Sequence, residues 1–190
     1  MDSVKFERDD VLFSLCGLNC SLCPMFVRGD CTGCRAGSWC AASCKIAPCS
    51  VRHGGVDYCF ECPEYPCARY DGIDKRDSLM SHRNQLVDME KAKRIGIDAY
   101  RDEQRAKAAI LYQLLDEFDD GRHDVFFCLA ANMLALEDLA AAVEKASEQT
   151  EDLSATQKRR RAETAERILR ETAAEKDVPL ELRTWNGPWQ

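Results

Sequence analysis

The sequence predicts a mainly α-helical protein in which an irregular, cysteine-rich amino-terminal module packs on a carboxyl-terminal bundle of three or four helices. Two features carry this prediction. Eleven of the twelve cysteines lie in the 52 residues from Cys16 to Cys67. From about Asp77 onward the chain is rich in Ala, Leu, Glu, Lys and Arg, which favour helix. We therefore expect two domains, a cysteine-rich module over residues 1–75 and a helical domain over residues 76–190.

The spacing of the cysteines predicts metal sites. The module holds three C-x2-C pairs, which are Cys20 with Cys23, Cys31 with Cys34, and Cys59 with Cys62. Two intervening residues let a tight turn aim both sulfurs at one point about 2.3 Å away, and two such turns complete a tetrahedron around zinc, as in zinc knuckles and ribbons. All eleven clustered cysteines are candidate metal ligands: Cys16, Cys20, Cys23, Cys31, Cys34, Cys40, Cys44, Cys49, Cys59, Cys62 and Cys67.

Disulfides fit this module less well than metals do. The first ten residues, MDSVKFERDD, are charged, and no apolar stretch of secretory type follows them. The sequence thus predicts a reducing, cytoplasmic location, where dense cysteines bind metal more often than they form structural bridges. The module also has too few large apolar side chains to form a stable hydrophobic core by itself. We therefore expect bound metal to stabilise the fold of the module.

Sequence proximity suggests two groups of ligands, with Cys40 able to serve either. The first is Cys16, Cys20, Cys23, Cys31 and Cys34; the second is Cys44, Cys49, Cys59, Cys62 and Cys67. With four ligands a site, eleven cysteines supply two zinc ions, or three if a shared thiolate or His53 adds a contact. An exposed loop histidine is the simpler interpretation of His53. The pairs in CGLNC and CAASC are four residues apart, as on one face of a helical turn.

An iron-sulfur cluster is the alternative cofactor, because thiolates bind both zinc and iron. Cys16, Cys20 and Cys23 have the spacing of the triplet in radical S-adenosylmethionine enzymes, but the chain lacks the length and the alternating strands and helices of their barrel. The bacterial ferredoxin pattern C-x2-C-x2-C-x3-C-P does not occur.

The remainder of the chain predicts four helices. Leu79, Leu86 and Met89 have helical spacing that stops at Ile95-Gly96. A second apolar stripe follows Asp98 and ends at the turn signal DDG. A third helix is expected from Val125 through Leu136 and on to Val143, and a charged fourth from the capping box SATQ at 154–157 to about Glu175. The segment at residues 10–15 is a short strand or a packed lead-in.

Few residues outside the module suggest chemistry. Cys128 with nearby His123 could form a nucleophile and base, but a cysteine within FFCL is better explained as a small buried residue. Five further side chains could together line a pocket, or could simply belong to a turn and a solvated helix face: His82, Arg83, Asp119, Asp120 and Arg122. The basic run at 158–161 is interpreted as a solvated helix face, and the tail TWNGPWQ as docked on the body.

The formal net charge is −7, and each zinc held by four thiolates would add a net −2. Phosphate backbones would be repelled by such a surface, which argues against nucleic-acid binding. No apolar run approaches the length of a membrane span.

The chain resembles an uncharacterised prokaryotic family named domain of unknown function 3795. The matching stretches are CGLNCSLCPMF, CTGC, CKIAPC and YCFECPEYPCARY, followed by DSLMSHRNQLVDMEKAKRIGID, DDGR and FFCLAANMLALEDL, about residues 12–140. The resemblance implies a cysteine-rich, zinc-binding module with ten of the eleven clustered cysteines as ligands, Cys40 being the departure. The family has no assigned activity.

The sequence therefore predicts a metal-binding protein whose zinc ions are structural and hold a loop surface for an unknown protein or small-molecule partner. A non-catalytic role is favoured, since four thiolates leave no coordination position for substrate. Two alternatives remain: an iron-sulfur redox protein or accessory subunit of an enzyme, and a metal-trafficking protein or thiol redox sensor, which requires exposed and exchangeable sites.

Overall fold

The computed structural model describes residues 10–34, 44–154 and 156–183. The protein is mainly helical, as predicted, and the described residues contain no strand beyond an isolated bridge between Phe13 and Asn19. Two sequence predictions lie outside the described residues: Cys40 as a ligand, together with its CAASC pair, and the docking of the tail from residue 184.

In its described parts, residues 10–34 and 44–75, the cysteine-rich segment consists of loops, two short helices and several one-turn helices. Helix α1 spans Pro24–Val27 and helix α2 spans Ala47–Arg52. Among the described residues, one 3-10 turn precedes α1, at Cys20–Leu22, and three follow α2, at Cys59–Glu61, Ala68–Tyr70 and Ile73–Lys75. Both α-helices carry a proline in their first turn, where no amide donor is needed. The predicted irregular architecture is confirmed.

Five longer helices follow in the part of the chain that the structure describes, where the sequence predicts four. They are α3 (Gln85–Ile95), α4 (Ile97–Glu117), α5 (Asp124–Met133), α6 (Leu136–Gln149) and α7 (Lys158–Glu175). Helix α3 ends at Gly96, which has a φ of +89°. Just before α7 the Gln157 side chain accepts a hydrogen bond from the Ser154 amide at 3.0 Å, which is one half of the predicted capping box. The helix itself begins at Lys158, and its N-cap residue Gln157 makes no side-chain capping hydrogen bond.

The extra helix arises because the predicted third helix is broken at Leu134 and Ala135. Both residues are extended, with ψ near 150°. Neither proline nor glycine marks the break in the sequence, and the Leu134 side chain is fully buried there. The sequence does not predict this break, because the apolar, alanine-rich composition is the same in α5 before the break and in α6 after it.

The chain divides into two compact units, and each has its own core. The first runs through Gln104, so that α3 and the start of α4 belong with the cysteine-rich segment, and it also takes in Arg183. Its buried side chains are Phe13, Tyr58, Met89, Ala92 and Tyr100 in one cluster and Leu15, Ile46, Ala47 and Tyr70 in another. Helices α3 and α4 thus supply apolar surface that the cysteine-rich segment lacks.

The second unit spans Arg105–Leu182 and is a helical bundle. Helix α6 packs against α7, and α5 packs against both. The fully or almost fully buried side chains include Phe127, Leu139, Val143, Ile168 and Leu169. None of the helices in the described part of the chain combines the length and hydrophobicity needed to cross a bilayer.

Candidate metal centre

The cysteines of the amino-terminal segment are partly exposed and form no disulfide. This holds for all ten that the structure describes, whereas Cys128 is buried in α5 as the predicted small core residue. Partly exposed cysteines can be reached by a metal ion and are still partly shielded from water. The full ligand set remains a prediction.

The second group is gathered around one small cavity. Four cysteines line a cavity of about 20 Å³ together with His53 and Tyr70: Cys49, Cys59, Cys62 and Cys67. This volume is close to that needed for one water molecule. Cys49 lies on α2, and the Cys62 amide donates to the Cys59 carbonyl at 3.0 Å, which closes the tight C-x2-C turn expected of a ligand pair.

An unsatisfied hydroxyl adjoins these thiols. The Tyr70 side chain is 5% exposed, and its hydroxyl lacks a hydrogen-bond partner of good geometry among the described residues. It interacts with the Cys59 thiol through a hydrogen bond of poor geometry, and Cys16 is a second electrostatic neighbour. A buried donor without a good acceptor is costly, and a thiolate at Cys59 would accept a strong hydrogen bond from the Tyr70 hydroxyl. The surroundings of this cavity therefore fit a metal-bound thiolate better than a neutral thiol.

The first group contains Cys44, contrary to the grouping by sequence proximity. Cys34 and Cys44 both lie close enough to Cys16 to interact with it electrostatically, and the Cys20 thiol hydrogen-bonds with that of Cys34. Cys16 and Cys44 also pack against the buried cluster around Leu15, but Cys59 and Cys67 do so as well, so the electrostatic contacts define the first group. The structure thus brings Cys16, Cys20, Cys34 and Cys44 together, although Cys16 and Cys44 are far apart in sequence.

A tight turn presents Cys16 and Cys20, rather than the helical turn that their spacing suggested. The Ser14 amide donates to the Leu18 carbonyl at 2.8 Å, and Phe13 bridges to Asn19. Gly17 at the tip has a φ of +96°, and a Cβ there would lie 2.6 Å from the Gln85 carbonyl oxygen. Glycine is therefore required where the turn approaches α3.

Helices α3 and α4 hold this turn by side-chain hydrogen bonds. The Gln85 amide donates to the Cys16 carbonyl at 2.9 Å. Asn19 donates to Asp88 at 2.9 Å and accepts from the Tyr100 hydroxyl at 3.1 Å. A backbone bond of 3.1 Å from the Cys59 amide to the Leu15 carbonyl links the turn to the second group. Both groups are thus fixed by the same framework.

Cys23 and Cys31 form the remaining described pair. Cys31 interacts electrostatically with Cys23, and the amides of Asp30 and Cys31 both donate to the Met25 carbonyl, which folds the chain back after α1. The sequence placed these two cysteines in the first group, but neither is among the electrostatic neighbours of Cys16 or Cys20.

Backbone amides point at several of the sulfurs. Cys44 accepts from the amides of Ile46 and Ala47, both at 3.4 Å, and Cys31 accepts from Gly33 at 3.5 Å. The amides of Met25 and Phe26 donate to Cys23. Amides directed at sulfur stabilise its anionic form, which is the form that binds metal. This repeated local arrangement fits the donor set of a thiolate-bound metal.

Burial opposes ionisation of the thiols in the absence of a cation. It raises the pKa of Cys16 to about 12 and that of Cys59 to about 11, and like-charged neighbouring thiols add to both shifts. A divalent metal reverses this balance, because it deprotonates coordinating thiols outright. Metal binding at these groups would therefore release protons and tighten as pH rises.

The sulfurs are more widely spaced than in a closed metal site. Around a zinc ion, thiolate sulfurs lie about 3.8 Å apart, given zinc–sulfur bonds of about 2.3 Å. Among the described residues, three or more potential ligand atoms lie within 4.8 Å of one another only at Asp119, Asp120 and His123. A bound metal would therefore have to draw each cysteine group together.

The Asp119–Asp120–His123 cluster is already internally bonded. His123 Nδ1 meets Asp120 at 2.7 Å, and its Nε2 meets Glu166 at 3.1 Å. Asp120 also accepts from Arg122, and these hydrogen bonds from Arg122 and His123 lower its pKa. Both ring nitrogens of His123 are thus engaged, which supports the interpretation of this segment as a turn.

His82 and Arg83 have partners of their own in the first unit. His82 Nε2 lies 2.9 Å from the Ser78 hydroxyl, and Arg83 pairs with Asp77 at 3.3 Å. The basic run at 158–161 begins α7, where Arg159 is exposed and pairs with Glu163 at 2.8 Å. The solvated helix face predicted for this run accounts for that arginine.

Comparison with known proteins supports the family resemblance. A family model described as Protein of unknown function (DUF3795) matches residues 25–72. The predicted DUF3795 resemblance is confirmed over that segment. The DUF3795 segment contains Cys31, α2 and all four cysteines of the second group. No curated protein and no solved structure gives a significant match to the chain.

Proposed function

We propose that this protein binds two or three zinc ions through the clustered cysteines, and that the ions hold its loops as a rigid surface for recognising a small molecule or another protein. The observation that carries the proposal is the small cavity lined by Cys49, Cys59, Cys62 and Cys67 beside the unsatisfied Tyr70 hydroxyl. Four protein thiolates close a zinc ion completely, so a structural role is favoured over catalysis.

The grouping of the thiols leads to the proposed number of two or three zinc ions per chain. The second group supplies one site of four ligands, and Cys16, Cys20, Cys34 and Cys44 supply another. Cys23, Cys31 and Cys40 are left for a third site, which needs one further ligand. A reducing cytoplasm would keep these thiols available for metal. Thiolates alone do not select zinc over iron, so metal identity is an outcome of measurement.

Replacing Cys59 with serine tests the second site. The C59S variant, produced under the same conditions as the wild type, is expected to carry one zinc ion fewer per chain, because a serine hydroxyl is a poor replacement for a thiolate ligand. Metal per chain would be measured by inductively coupled plasma mass spectrometry on freshly purified protein.

The matched control is Cys128→Ala, which removes a cysteine buried in α5 outside the groups. This variant should keep the full metal content. Equal metal contents in C59S and the wild type would contradict the assignment of Cys59, and loss of metal from the Cys128 variant would show that thiol number rather than position sets the stoichiometry.

A further inference from the structure

A large cleft adjoins the second cysteine group. Its volume is about 850 Å³, within the range of small-molecule binding sites. Cys49, His53, Cys67 and Arg69 line both this cleft and the 20 Å³ cavity, so the two share a wall. A ligand in the cleft would therefore lie directly against the proposed metal site.

Four basic side chains line the cleft. Lys45, Arg52 and Arg69 all face it, and none forms an ion pair within the described parts of the chain. Arg76 adds a fourth positive charge to the lining. In a protein whose formal net charge is −7, this is a local concentration of positive charge in a concave surface, which raises the local concentration of anions.

The carboxylates in the lining offset only part of this charge. The Asp77 side chain is fully buried and paired with Arg83 and Arg183, so its charge is compensated by two arginines that do not line the cleft. Glu64 lies 3.9 Å from His53. Asp71 is exposed. The three cations without ion pairs therefore face two carboxylates, Glu64 and Asp71, and the balance favours an anionic ligand.

We propose that this cleft binds a small organic phosphate, held by Lys45, Arg52 and Arg69 beside the metal site. A phosphate monoester carries about −1.5 to −2 charge at pH 7 and three strong acceptor oxygens, which matches three unpaired cations. Guanidinium groups bind phosphate in a bidentate manner. The cleft is too large for a bare anion, which indicates that the phosphate carries an organic group.

The phosphate proposal names the class of small molecule that the protein would recognise, and it rests on the recognition role proposed for the loop surface. The positive charge of the cleft, in contrast, does not depend on bound metal. A rival explanation is that the cations balance the net −2 charge of a zinc held by four thiolates. That explanation predicts that removing the cations lowers metal content, whereas the ligand proposal predicts that it lowers only phosphate binding.

The test is a titration of the full-length, metal-loaded protein with small ligands at low ionic strength, in which the amide NMR chemical shifts report binding. The probes are glycerol 3-phosphate, glycerate and glycerol, which differ in the anionic group. We expect glycerol 3-phosphate to bind saturably, glycerate to bind more weakly, and glycerol to cause no shift changes. Arg52→Gln and Arg69→Gln should each weaken binding about tenfold, the loss of one charge-assisted hydrogen bond. Arg94→Gln is the control, because Arg94 is exposed on α3 and forms no ion pair among the described residues.

Three results would overturn the proposal: no saturable binding, glycerate binding as tight as that of the phosphate, or unchanged binding in both arginine variants. Reduced zinc in Arg52→Gln or Arg69→Gln, but not in Arg94→Gln, would establish the charge-balancing role instead. Zinc counts are taken on every sample, so phosphate binding by a zinc-free protein would support the cleft and refute the metal proposal.

Discussion

Removing bound metal with a strong chelator, in the presence of a reductant, is expected to unfold the cysteine-rich segment. Its framework has two small buried clusters, and much of its backbone lies in loops and one-turn helices. The apparent free energy of binding a structural zinc ion is about 10–16 kcal/mol at pH 7, which is as large as the whole stability of an ordinary small domain, about 5–15 kcal/mol. Hydrogen exchange with mass spectrometry would show loss of amide protection over residues 10–34 and 44–75.

Helices α6 and α7 provide the internal control for chelation. They pack against each other in the second unit and carry none of the clustered cysteines, so their amides should stay protected. Unchanged protection of the cysteine-rich segment after complete metal loss would contradict a structural role. It would favour a metal store with exchangeable sites, the alternative that the sequence left open.

Replacing Asp77 with asparagine is expected to destabilise the first unit by about 3 kcal/mol at pH 7, the lower end of the cost of removing one partner from a buried ion pair. The Asp77 side chain is fully buried, and it accepts from the Arg183 backbone amide and from Arg183 Nη2, both at 2.8 Å. The His82 amide also donates to it at 2.8 Å. Because Arg83 and Arg183 are partly exposed, the lower end of the range applies. Urea unfolding at pH 7 measures the difference.

The effect of Asp77 should also depend on pH. Burial by itself would raise the pKa of Asp77, but hydrogen bonds from Arg183 and His82 and the charge of Arg183 outweigh it and lower the pKa. A depressed folded-state pKa stabilises the protein above the unfolded pKa of about 4, and this contribution is lost as pH falls below that value. The gap between wild type and D77N should therefore narrow in acid.

Asp98→Asn is the matched control for Asp77. Asp98 is 92% exposed and lies 3.5 Å from Arg101, so its removal should change stability by less than about 1 kcal/mol. Equal unfolding midpoints for D77N and D98N, or a D77N deficit that stays constant into acid, would contradict the role assigned to the buried carboxylate.

Local patterns in the sequence predicted the elements that depend on local forces. The end of α3 at Gly96, the course of α4 and the charged helix to Glu175 follow from helical periodicity, glycine and capping chemistry. The break between α5 and α6 was missed because no helix-breaking residue marks it. Its position depends on burial of Leu134, which is a tertiary property.

In the candidate site, too, features that depend on neighbouring residues in the sequence were predictable, and features that depend on tertiary contacts were not. The C-x2-C turn at Cys59 and Cys62 was predictable from spacing, since two intervening residues determine its geometry. The grouping of Cys44 with Cys16 was not, because it depends on how α2 packs beside Leu15. The Tyr70 hydroxyl and the cations of the cleft carry no sequence motif, and folding brings them to the second group.

The most direct test of the metal-binding account is elemental analysis of protein purified without oxygen, combined with its absorption spectrum and mass mapping of its thiols. The account predicts a colourless protein with two or three zinc ions per chain and the clustered cysteines free of disulfides. A compact protein without zinc or iron, or clustered cysteines joined in disulfides, would contradict it. If the purified protein is brown and contains iron, the cofactor is an iron-sulfur cluster and not zinc.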